Sequence, residues 1–130
     1  MVLLDKFQDV LLISLGGVLG ANIRFLIYKK FDRINLSKNL IILIINTLSS
    51  FSLGLFLSFS SQINSLSYSS KLGLFLSIGL LGSLSTFSGF IYDLYELFIQ
   101  LKFYIAFKLF IISLTSGLIA FAVGFLLGMP

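Results

Sequence analysis

Between Val10 and Met129 the chain carries four apolar stretches, roughly 10–28, 40–59, 72–99 and 103–129, joined by short polar links. A helix that crosses a bilayer needs about 20 mostly apolar residues, and each stretch supplies them. In hydrocarbon only a helix satisfies all its own N–H and C=O groups within one segment. The expected fold is therefore an all-α membrane protein, a single four-helix transmembrane domain over 1–130 with no room for a separate soluble domain. Composition agrees: 58% of residues are hydrophobic and the mean hydropathy is +1.09, against about 45–50% apolar residues in a soluble domain. The first stretch could pass for a signal peptide, but it lacks an A-x-A-like cleavage site and contains Arg24, so it reads as a retained helix.

The third stretch is the unusual one. Gly79-Leu-Leu-Gly-Ser-Leu-Ser-Thr-Phe-Ser-Gly-Phe90 places three glycines and four hydroxyl residues inside an apolar run. Its composition predicts a break in the helix near 82–87, in the middle of the membrane. Such a break survives only where protein buries it, or where it lines a polar cavity or holds an ion. Phe87 and Phe90 leave it three residues apart, on one face of a resumed helix.

Charge excludes several functions and orients the chain. There is no cysteine and no histidine, so neither thiolate metal sites nor the usual general base is available. The net charge of +4 does not point to nucleic acid, because Lys29, Lys30, Arg33 and Lys38 form a juxtamembrane cluster with no interleaved aromatics. With four spans both termini share a side, together with Lys6 and Lys71. The other side holds Lys29, Lys30, Arg33, Lys38, Lys102 and Lys108, so six basic residues face two. Positive residues stay cytoplasmic, which directs the termini outward. Glycines at 16, 17, 20, 54, 117, 124 and 128 mark close helix contacts, within the chain or in an oligomer.

Polar residues inside a membrane are costly and mark candidate sites. Arg24 ends the first stretch and either snorkels to the interface or serves the site. Asn46 lies in strongly apolar surroundings, where its amide either bonds across helices or donates to a permeating anion. Asp93 and Glu96 follow Phe90, sharing its face or marking the membrane boundary, and Ser113, Thr115 and Ser116 put hydroxyls in the fourth helix. Most of the fifteen phenylalanines read as packing or lipid-facing residues, Phe121 among them.

Taken together, these residues resemble the small bacterial fluoride channels called Fluc or CrcB, over essentially the whole chain. Gly16-Gly-Val-Leu-Gly-Ala-Asn-Ile-Arg24 is similar to a first-helix G-G-x-x-G-x-x-x-R pattern, and Asn46 falls at the second-helix asparagine. Gly79–Phe90 is similar to the signature G-x-x-G-G-x-[ST]-T-F-S-T-F, and Gly117–Gly124 weakly resembles the fourth-helix ending. The resemblance implies an antiparallel dual-topology dimer in the bacterial inner membrane. A structural sodium ion would lie at its centre, held by the carbonyls of Gly82 and Ser85. Phe87 and Phe90 would line a fluoride pore, Asn46, Thr86 and Ser88 would supply its hydrogen bonds, and Arg24 and Asp93 would be pore-associated. The sequence departs from the pattern in several places. Ile41-Ile-Leu-Ile-Ile-Asn46 replaces G-T-L-x-x-N, Ser50 and Ser83 replace glycines, and Asp93 replaces a glutamate.

The leading reading is passive, fluoride-selective export from the cytoplasm that lowers fluoride toxicity. A proton-coupled small multidrug-type exporter needs a membrane-embedded carboxylate, which the first two apolar stretches lack. A noncatalytic assembly subunit gains nothing from disrupting its own helix, and an enzyme fits worst. The uneven basic residues leave the partner open: a homodimer whose weak bias is overridden, or an antiparallel heterodimer with a paralogous chain of opposite bias.

Overall fold

The computed structural model describes residues 1–33, 37–62 and 71–130, and among these it contains helices and no strand. Helix α1 covers Val2–Asp32 and α2 covers Lys38–Gln62. The third apolar stretch is divided into α3 (Leu74–Leu81), α4 (Gly82–Leu84) and α5 (Phe87–Ile99), and α6 covers Phe103–Leu127. Four stretches are long and apolar enough to cross a membrane: Val2–Phe31, Lys38–Ser60, Lys71–Ile99 and Phe103–Leu127. The links expected around 29–39 and 60–71 fall in part on 34–36 and 63–70, outside the described residues.

Helix α1 begins well before the expected position 10. Its 31 residues extend about 46 Å at 1.5 Å per residue, more than the roughly 30 Å of a hydrocarbon core. Hydropathy detects only the part that suits lipid, whereas helical hydrogen bonding continues through Asp5, Lys6 and Asp9 into the polar region.

Two helix pairs organise the chain. Helix α2 packs mainly on α6, and α1 packs mainly on α3 and α4. Both contacts depend on glycine. A Cβ built on Gly54 would meet the Phe121 carbonyl of α6, and one on Gly124 would meet the Phe51 carbonyl of α2. The two backbones therefore touch reciprocally, where van der Waals packing replaces the hydrophobic drive that lipid removes. At the other contact, a Cβ on Gly79 would lie 2.7 Å from the Ile13 carbonyl and 3.0 Å from the Gly16 Cα.

The helix facing Gly16 is wound more widely than an α-helix. Leu74–Leu81 is π-helical, and its last turn closes through the Gly82 N–H, which donates to the Ser77 carbonyl five residues back. Such wide turns insert a residue, rotate the downstream part of the helix and recur at functional sites. Beyond α4 the backbone becomes extended: Ser85 has ψ 147° and Thr86 has φ −135°, ψ 116°.

The tight connection at 100–102 has a defined geometry. The Lys102 N–H donates to the Leu97 carbonyl at 2.9 Å and the Leu101 N–H to the Phe98 carbonyl at 3.0 Å. This is the paired pattern of a helix end that needs a left-handed residue. Leu101 supplies it with φ 57°, where a side chain costs about 1–2 kcal/mol.

Few residues are enclosed. Among the described residues the buried apolar side chains are Ile41, Ile42, Ile45 and Ala106, and only 6% of the most apolar part of α6 is buried. Contiguous apolar exposure on this scale is a surface for lipid or another protein.

The glycine contacts can be tested by substitution. Gly124→Ala should lower the melting temperature of detergent-solubilised protein, because overpacking against a backbone carbonyl costs about 1–3 kcal/mol. Gly17→Ala should be neutral or stabilising, since nothing lies within 4 Å of a Cβ there. Leu101→Gly should raise stability by about 1 kcal/mol through relief of the left-handed backbone, read in the same melting experiment.

Candidate functional site

Where α4 ends, Ser85 and Thr86 leave helical geometry and their neighbours lose regular hydrogen-bond partners. Asn46 of α2 meets this interruption with its amide. The Thr86 N–H donates to Asn46 Oδ1 at 2.8 Å, and Asn46 Nδ2 donates to the Thr86 carbonyl at 3.2 Å. A side-chain amide has the same donor and acceptor as a peptide group, so it satisfies both halves of a displaced one. One Asn46 N–H remains for other use.

Thr86 also starts the next helix. Its side-chain oxygen accepts the Gly89 N–H at 3.2 Å, the usual service of a threonine N-cap. Ser88 Oγ lies 3.2 Å from the same oxygen. These two bonds have a consequence for the preceding carbonyls. In an uninterrupted helix the Thr86 N–H would serve the Gly82 carbonyl, and the Gly89 N–H would serve that of Ser85. Among the described residues no backbone N–H reaches either carbonyl. Gly82 receives only the Ser85 hydroxyl, at 3.4 Å. Gly82 is itself exposed on the chain's surface. The two carbonyls that the resemblance assigns to sodium are thus those the interruption releases.

The interruption opens into a groove of about 480 Å³ between α2, α5 and α6. Asn46 and Ser50 line it from α2, Phe87 and Phe90 from α5, and Phe110, Ser113 and Gly117 from α6. The Phe90 ring lies 6.3 Å from Phe87 at 48° and 6.3 Å from Phe110 at 29°. Phe87 is 75% exposed, at the rim. Beside the groove, Thr47 Oγ1 donates to Ser116 Oγ at 3.3 Å, and Ser116 Oγ to the Ser113 carbonyl at 3.1 Å. No charged side chain lines the groove among the described residues.

Of the residues singled out from sequence, Asn46, Ser85, Thr86, Phe87 and Phe90 come together at this groove. Ser88 joins through Thr86, and Gly82 lies on α4 just before the interruption. Arg24 and Asp93 are not in the lining. Asp93 is buried at 6% exposure, while Glu96 is exposed. Phe121, expected to face lipid, instead borders the groove and stacks on Phe125 at 6.3 Å. Hydropathy cannot tell a lipid-facing ring from one facing a groove. Phe110 was missed although its signal exists: 110, 113, 114, 117, 118 and 121 follow the spacing of one helix face.

A contact between α2 and α5, outside the groove lining, differs from the pattern that the sequence resembles. Ile42 stands where the pattern has threonine and is buried at 6% exposure. Gly89 stands where the signature has a second threonine. A Cβ there would lie 3.1 Å from Ile42 Cδ1. The larger residue on α2 therefore occupies space that the smaller one on α5 vacates.

Comparison with known proteins adds lineage to this geometry. The model of CrcB-like proteins (Camphor Resistance, CrcB) matches residues 11–125. Fluoride-specific ion channel FluC 2 of Prochlorococcus marinus (strain NATL2A) is 57% identical over 121 residues, 93% of this chain and 98% of that protein. Fluoride-specific ion channel FluC 1 of Parasynechococcus marenigrum (strain WH8102) is 36% identical over 120 residues, covering 92% of this chain and 93% of its own length. Fluoride-specific ion channel FluC of Clostridium perfringens (strain 13 / Type A) is 32% identical over 123 residues, 93% and 94% of the two chains. With a match along nearly the whole sequence and a helix interruption met by a paired aromatic face, this chain belongs to the CrcB family.

Proposed function

We propose that the chain forms a fluoride-selective channel through which fluoride leaves the bacterial cytoplasm passively, across the inner membrane. The observation that carries this reading is the groove in which Phe90 stands beside Asn46, Thr86 and Ser113 with no charged residue in its described lining. Fluoride is small and strongly hydrated, so a path must replace water with donors. The rim of a phenyl ring carries the positive part of its quadrupole and can face an anion edge-on. Hydroxyl donors at Thr86, Ser88 and Ser113 add direction without a fixed charge that would hold the ion too tightly. The polar part of the lining falls to Asn46, Ser50, Ser85 and Thr86 and to Ser113 on the face of α6.

A second copy, or a paralogous chain, completes the path in this proposal. The wide apolar exposure of α6 and the open side of the groove support it. With the two chains antiparallel, the carbonyls of Gly82 and Ser85 from each would hold one structural sodium ion. The donor set fits: hard oxygen ligands suit a hard cation, and both carbonyls lack backbone donors. The ion would supply positive charge that satisfies these groups and ties the chains together. The position of the interruption within the Lys71–Ile99 span supports a break in the middle of the bilayer.

The defining measurement is ion efflux from liposomes containing this chain alone. Fluoride should leave rapidly and chloride should not; equal rates with folded protein would end the proposal. Phe90→Ile should reduce fluoride flux by roughly three- to tenfold with assembly intact, as expected for an aromatic contact worth about 0.5–1.5 kcal/mol. Phe107→Ile, at a side chain 67% exposed, should change little.

Six basic residues against two favour outward termini, which makes an antiparallel heterodimer the reading that charge supports. A C-terminal reporter active only inside the cell should then be silent, while one active only outside gives signal. Signal from both, with fluoride resistance conferred by this chain alone, would establish the homodimer instead.

A further inference from the structure

We propose that Asn46 is a positioning residue for the cation site: by accepting the Thr86 N–H it keeps the Gly82 carbonyl free to coordinate sodium. The geometry carries this directly. The Thr86 N–H is the group that would return to the Gly82 carbonyl if the helix closed, and it is held by Asn46 Oδ1 at 2.8 Å. Gly82 keeps only the 3.4 Å contact from the Ser85 hydroxyl, a long bond for an O–H donor. Asn46 Nδ2 on the Thr86 carbonyl at 3.2 Å fixes the same peptide from its other end.

Asn46 stands on α2 and the released carbonyl on α4, so the contact joins α2 to the link that follows α4, at the groove. A residue read from sequence as an anion donor thereby acts first on the backbone. Without the acceptor, the Thr86 N–H is left with two outcomes, an unsatisfied buried donor or a bond to Gly82 that competes with the cation.

The sodium arm of the test rests on the proposed sodium site; a second arm, which tracks the Thr86 amide, does not. The full chain is purified as assembled protein and melted in sodium or in N-methylglucamine at equal ionic strength. It is also labelled with 15N-threonine, which gives only three backbone signals, from Thr47, Thr86 and Thr115. Asn46→Asp keeps an oxygen acceptor for the Thr86 N–H, whereas Asn46→Leu removes it at similar volume. Wild type should melt higher in sodium. N46D should keep that rise, with its Thr86 amide signal still showing a hydrogen-bonded proton. N46L should need about tenfold more sodium for the same rise, the factor set by a competing hydrogen bond of about 1.4 kcal/mol, and its Thr86 signal should move.

N46L with an unchanged sodium dependence and an unmoved Thr86 signal would overturn the role given to Asn46. If N46L does not assemble, Asn46→Ser, whose hydroxyl is too short to reach Thr86, takes its place under the same criteria. Assembly of N46D alone supports the role, and failure of all three variants to assemble overturns it, because an acceptor would then not suffice. A wild type indifferent to sodium overturns the cation reading itself, whatever the Thr86 signal does.

Discussion

The rest of the site depends on one exchange of hydrogen bonds. A helix that stops at Leu84 and restarts at Phe87 leaves backbone groups without their helical partners, and each such group left unmet when buried costs on the order of 1–3 kcal/mol. Asn46 and the Thr86 side chain meet the N–H groups of Thr86 and Gly89. Both partners are side-chain acceptors standing in for carbonyls. The carbonyls they replace, those of Gly82 and Ser85, are left without backbone donors among the described residues. The interruption therefore converts part of a saturated helix into a pair of oxygens with capacity to spare. The same contact sets where α5 begins and so where Phe87 and Phe90 project.

That exchange requires helices placed within a few tenths of an ångström, and the glycine contacts provide this. Gly54 and Gly124 let α2 and α6 touch at the backbone, which fixes the face of α2 that carries Asn46 and Ser50 opposite the face of α6 that carries Phe110 and Ser113. Gly16 and Gly79 do the same for α1 and the π-wound α3. A backbone contact has no rotamers to relax, so it transmits position better than an aliphatic interface would. With only a handful of apolar side chains enclosed, precision here comes from close approach rather than from a large core.

Much of this was legible in the sequence for definite reasons. Four apolar runs dictate four helices, since lipid permits little else, and the glycine and hydroxyl residues of 79–90 could only signal a departure from helix. The destination of the broken bonds was not legible. Asn46 and Thr86 are forty residues apart, and nothing in either neighbourhood states that one amide closes on the other's peptide. Asn46 therefore remained open between bonding across helices and donating to an anion. The groove face of α6 was written in its spacing, yet Phe121 and Phe110 looked like lipid-facing rings because an apolar groove and lipid select the same residues. Helix ends were blurred for a different reason, since hydropathy falls where hydrogen bonding does not.

The departures from the family pattern are best understood in pairs. Alone, isoleucine at 42 would remove a hydroxyl and intrude on α5, and glycine at 89 would leave a void and weaken the first turn of that helix. Together they fit, since a Cβ on residue 89 would lie only 3.1 Å from Ile42 Cδ1. The exchange leaves the Asn46–Thr86 contact one turn away untouched, because neither side chain supplies a hydrogen bond to it. What changes is polarity: two hydroxyls give way to an apolar contact between α2 and α5. Side-chain polarity between α2 and α5 can thus change while the backbone exchange beside it stays the same.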